Sequence, residues 1–169
     1  ADAHRAEGAA KGYRRYEGDQ VVQRKDAFTF LGQTIPWERF GLESCEKTGT
    51  ETIHSLMHTL LQLNEQGAPT ALRRRLMQMQ ISYEEKRRDL QRAGKGLTQA
   101  GEVQGQWGPW IWRGYYTLKR MARSAKKRGN REMGEPIDAI AERLHDEHFQ
   151  SISWIGLAAR WADLLAREE

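Results

Sequence analysis

Between residues 50 and 64 the chain reads TETIHSLMHTLLQLN. Ile53, Leu56, Met57, Leu60, Leu61 and Leu63 recur there at the three- and four-residue steps of one buried helical face. Thr48 or Thr50 can cap the start of this helix, and Asn64 to Gly67 can end it. A second helix is predicted over residues 69–93. Pro69 suits its first turn, where a missing N–H costs no hydrogen bond. Leu72, Leu76, Met79, Tyr83 and Leu90 form its narrow apolar seam, the other faces carry charges such as Arg73, Glu84 and Arg88, and Gly94 and Gly96 stop it.

Pro109 opens a third helix through Tyr115, Leu118 and Met121 that fades in KKRGN, and residues 129–134 read as a linker. Pro136 opens a fourth, with Ile137, Ile140, Ala141 and Leu144 on one face. The last helix, 152–167, carries a stripe of Trp154, Leu157, Ala158, Trp161, Leu164 and Leu165, with Arg160, Ala162 and Asp163 turned away. The last two helices can form one rod bent near residues 151–153. Apolar mass without helical spacing lies in AFTFLGQTIPWERFG, a plug for the core that has room for a short strand.

The pattern predicts a mainly α fold of helical hairpins, about four to five helices, with irregular N-terminal and central aromatic arms. Residues 1–26 show no sustained apolar stripe and read as a polar arm that is flexible or ordered by a partner. Residues 27–169 read as a single helical domain with a docking segment at 104–128.

Composition narrows the function. Of 169 residues, 38% are hydrophobic and 30% charged, so the core is modest, and the net charge of +4 favours anionic surroundings without diagnosing one. No apolar run is long enough for a membrane-spanning helix. Cys45 is the single cysteine, which excludes an internal disulfide and a multi-cysteine zinc site. A first residue other than methionine, together with the basic balance, points to the matrix side of a mitochondrion, peripheral to the inner membrane. A bacterial cytoplasm is the alternative.

Candidate chemistry is sparse. His54 and His58 in HSLMH can aim both rings at one ion, but a zinc hydrolase needs glutamate where Ser55 stands. Glu51-Thr-Ile-His54 and Glu142-Arg-Leu-His145 are two ExxH elements of the kind used in di-iron bundles, with Glu84, Glu85 or Glu17 as further carboxylates. Bundle ligands project inward, whereas Glu51, His54 and Glu142 fall on polar or solvent sides, so solvated helix faces explain these residues better. His145, Asp146 and His148 form a polar cluster at the end of a helix, where the dipole favours the histidines, and Cys45, with Lys47 nearby, reads as an inert small hydrophobe. Phosphate loops and the GxSxG nucleophile motif are absent. The expectation is a non-enzymatic chain without cofactor or metal.

The densest signal is QGQWGPWIWRGYYTLKRMARSAKKR, residues 104–128. Trp107, Trp110, Trp112, Tyr115 and Tyr116, with Phe28, Phe30, Trp37 and Phe40 of the plug, are candidate partner-docking residues. Arg113, Lys119, Arg120, Arg123, Lys126, Lys127 and Arg128 are candidate contacts to an anionic surface. Docking on other protein subunits, with peripheral contact to lipid headgroups, is the first reading. It predicts an accessory subunit of a large assembly such as a mitochondrial energy-converting membrane complex, a respiratory complex or ATP synthase. The alternatives are an RNA-binding subunit of a ribonucleoprotein, such as an organellar ribosome, and a di-iron carboxylate bundle enzyme.

Overall fold

The computed structural model describes residues 2–17, 20–22, 27–41, 51–97, 109–146 and 149–167. It is mainly helical. The elements run α1 (Asp2–Lys11), β1 (Arg15–Glu17), β2 (Gln20–Val22), β3 (Ala27–Phe30), β4 (Gln33–Pro36), α2 (Trp37–Phe40) and α3 (Ile53–Glu65). Then come α4 (Ala71–Ala93), α5 (Pro109–Lys127), α6 (Arg131–Asp146), a 3-10 turn (Gln150–Ser153) and α7 (Ile155–Leu165).

The N-terminal segment departs from the expected arm. Residues 2–11 form a helix that packs on β3 and β4, and the Thr29 hydroxyl donates to the Ala6 carbonyl at 2.9 Å. Ala6 and Ala10 supply its half-buried side. Alanine favours helix through low entropy cost rather than through bulk, so an apolar-stripe criterion does not detect this helix. The plug is likewise more regular than its spacing suggests. β3 and β4 pair antiparallel with Phe30 opposite Gln33, and Leu31 and Gly32 turn the chain at φ of 46° and 84°. Two positive φ values are the mark of a tight hairpin turn. Arg160 of α7 donates to the Leu31 carbonyl at 3.2 Å and ties that turn to the core.

Thr52, not Thr48 or Thr50, caps α3. Its side chain accepts from the Ser55 N–H at 3.2 Å while the Ser55 hydroxyl accepts from the Thr52 N–H at 2.9 Å. This reciprocal box uses two otherwise unpaired donors and places Glu51 before the helix. α4 ends as expected, with Gly94 in the left-handed region at φ 66°. Asn130 starts α6 by accepting the Met133 N–H at 3.0 Å, so the helix begins five residues before Pro136 and takes in most of the expected linker. α6 and α7 are separate helices. Phe149 at φ 61° and the 3-10 turn part them.

Helices α5 and α6 pair through a turn at Gly129, and α7 packs on both α3 and α4. Being contacted by two helices, α7 buries more than one stripe. Ala159 and Ala162 are fully buried, whereas Leu164 is 42% exposed, which corrects the expected facing of Ala162 and Leu164. Arg73, expected on a solvent face, is buried between helices. Its guanidinium donates to Asp163 at 3.2 Å and to Asn64 at 2.5 Å.

Candidate nucleic-acid interface

Helix α5 has no acidic residue. Ile111, Leu118, Ala122 and Ala125 are buried on its inner side, and Gly114 lets it approach α4 so closely that a β-carbon there would lie 2.5 Å from the Met79 sulfur. At 3.6 residues per turn the opposite side gathers Trp112, Arg113, Tyr116, Arg120, Arg123 and Lys127 within an arc of about 100° and a length of about 22 Å. All six are exposed, Trp112 to 39% and Tyr116 to 65%. Arg128, also exposed, follows just past the helix, and its guanidinium donates to the Ser124 carbonyl at 3.3 Å.

The seven expected cations divide into two sets. The Lys119 ammonium bonds Asp138 at 2.5 Å and also Glu142, and Lys126 bonds Asp138 at 2.5 Å. These two lysines fasten α5 to α6, so their ammonium groups are engaged by carboxylates of the fold. Arg113, Arg120, Arg123, Lys127 and Arg128 have no carboxylate partner among the described residues. Among the described residues, nothing neutralises their charges.

The Lys119 and Lys126 hydrogen bonds hold the Asp138 carboxyl below its usual range, and Asp138 and Glu142 in turn raise Lys119 above its own. A depressed carboxylate stabilises the fold above its unfolded pKa and loses that contribution as pH falls through the folded value. Since Lys119 and Asp138 are each 27% exposed and their partners more so, Asp138→Asn should cost about 0.5–1 kcal/mol at neutral pH. Denaturant melts should show the gap from wild type narrowing below about pH 4.

The aromatic expectations also divide. Phe40 is buried against Trp161, with ring centroids 5.1 Å apart, and Phe28 and Phe30 pack on Phe40. Phe40 therefore serves the protein's own core, and Phe28 and Phe30 lie half-buried against it. Trp37 stacks on Phe28 at 4.1 Å and keeps half its surface exposed. Trp112 leans edge-on against Phe149 at 5.4 Å, while Tyr115 is half-buried beside His145 at 5.5 Å. Trp107 and the Trp110 side chain lie outside the described residues, as do Cys45, Lys47, His148, the Glu17 side chain and most of the 94–106 loop.

The proposed di-iron ligands do not converge. Glu51, ahead of α3, pairs with Arg143 at 2.6 Å, whereas Glu142 holds Lys119. Among the described residues, the one cluster with three closely spaced metal-binding donors is Glu142, His145 and Asp146, all exposed. Likewise, no helix among the described residues is long and apolar enough to cross a membrane. The chain matches no family model, no curated protein and no solved structure.

What the residue pattern alone did not supply was the sorting of the basic run. The signal available was the helical period itself. Arg113, Arg120 and Lys127 recur every seven residues, two turns apart, and Lys119 and Lys126 form a second such row.

Proposed function

We propose that this chain is a non-catalytic accessory subunit that binds nucleic acid, of the kind found in a ribonucleoprotein, through the outer face of α5. The observation that carries this reading is the row of five cations that have no carboxylate partner among the described residues, beside Trp112 and Tyr116. An anionic backbone can neutralise such a row along its length, and exposed aromatic rings offer stacking surfaces worth roughly 1–3 kcal/mol per base. A protein groove or a lipid layer rewards the aromatics more than the charges. Here only two of the described α5 aromatics are well exposed, whereas all five cations are.

Docking on a protein subunit keeps one observation in its favour. Trp37 and Ile81 are exposed to 50% and 55%, large apolar side chains left at the surface. Such residues suit contact with the other subunits of an assembly, so an accessory role is common to both readings.

Ultraviolet crosslinking of the native assembly followed by peptide mapping tests the proposal. Nucleotide adducts should fall on the tryptic peptides that contain Trp112 and Tyr116. Crosslinks from α5 to protein alone would favour the subunit-docking reading.

A further inference from the structure

We propose that His54 and His58 form a binding site for a divalent transition-metal ion of the zinc type, separate from the α5 face. The two residues stand four apart on α3, and their Nε2 atoms lie 3.2 Å from each other. Two imidazole nitrogens bonded to one tetrahedral zinc at 2.0–2.1 Å would be about 3.3 Å apart. The pair is therefore already spaced as one edge of a coordination tetrahedron.

The surroundings suit capture of an ion from solution. Trp161 lies 5.9 Å from the His54 ring and helps to fix it, while His58 is exposed and leaves the approach open. Without metal, one Nε2 carries a proton and donates it to the other. Binding shifts that proton to Nδ1 of the same ring, so both Nε2 lone pairs face the ion and no net proton is released.

Imidazole donors select zinc, copper or nickel over calcium and magnesium, which require oxygen ligands. No third histidine or carboxylate among the described residues joins the pair, so water fills the remaining positions. Ser55 stands where a hydrolase would place its general base. The site is one of binding, not of hydrolysis. The Glu142–His145–Asp146 group is the rival location, but there the Lys119 ammonium occupies the Glu142 carboxylate.

Calorimetric titration of the full chain with zinc near neutral pH tests the proposal, using wild type, His54→Gln, His58→Gln and His145→Gln. One ion should bind the wild type and His145→Gln equally. The dissociation constant should rise at least about tenfold in both other variants, since removing a direct ligand costs no less than removing one of its supports. Because His58 is exposed, His58→Gln keeps the test valid even if His54→Gln fails to fold. No zinc uptake by the wild type would overturn the proposal, as would binding lost with His145→Gln but kept in His58→Gln.

Discussion

Changing Arg120, Arg123 and Lys127 together to glutamate is expected to abolish nucleic-acid binding while leaving the fold intact. All three are exposed and none has a carboxylate partner among the described residues, so no ion pair among those residues is lost. Each phosphate contact contributes about −0.7 to the log–log salt dependence on single strands, so five contacts give a slope near −3.5. Removing three leaves a slope near −1.4, and the new negative charges add repulsion. Affinity at moderate salt should fall more than about a hundredfold. Trp112→Ala with Tyr116→Ala should also weaken binding, by about 2–6 kcal/mol if both rings stack, but should leave the salt slope unchanged. Fluorescence anisotropy with a labelled oligonucleotide reads both quantities. Equal loss in a variant of Lys119 and Lys126 would show that the sorting of the cations is wrong.

The largest effect on stability is expected at Asp163. Its carboxylate accepts from Arg73 at 3.2 Å on one side and from Arg167 at 2.7 Å on the other. The Arg73 side chain is only 7% exposed, and it links α4 to both α3 and α7. Asp163→Ala leaves that guanidinium buried with Asn64 as its described acceptor, a situation that costs about 3–5 kcal/mol. For a chain of this size the melting temperature should drop by roughly 6–20 °C. Arg73→Met alone should cost less, since an apolar side chain fills the space without a buried charge. Adding Arg73→Met to Asp163→Ala should therefore recover stability, a coupling that a thermal-melt double-mutant cycle measures. Additive losses would mean that the pair does not share a buried environment.

Much of the fold could be read from residue spacing. Ile53 through Leu63 and Leu72 through Tyr83 mark α3 and α4 because large aliphatic side chains must share one face to be buried. Helix α1 could not be read this way, since Ala6 and Ala10 bury too little surface to mark a stripe. The start of α6 was obscured by Pro136, a conspicuous opening signal, when the Asn130 cap six residues earlier decides it. The β3–β4 turn was obscured because Leu31 replaces the asparagine or glycine usual at such a φ. For the candidate site, the basic run was evident but its division was not. Which lysines stay available depends on Asp138 and Glu142, brought alongside by the antiparallel approach of α6. The buried position of Arg73 was hidden for the same reason, because Asp163 lies 90 residues away.

The central claim is that the α5 face exists to meet a polyanion, and the salt dependence of wild-type binding measures this most directly. An unlabelled chain titrated against a labelled single-stranded RNA should bind with affinity falling steeply between low and moderate salt, at a log–log slope of about −3 to −3.5. Binding that is absent at low salt, or that persists with a slope near zero, would contradict it.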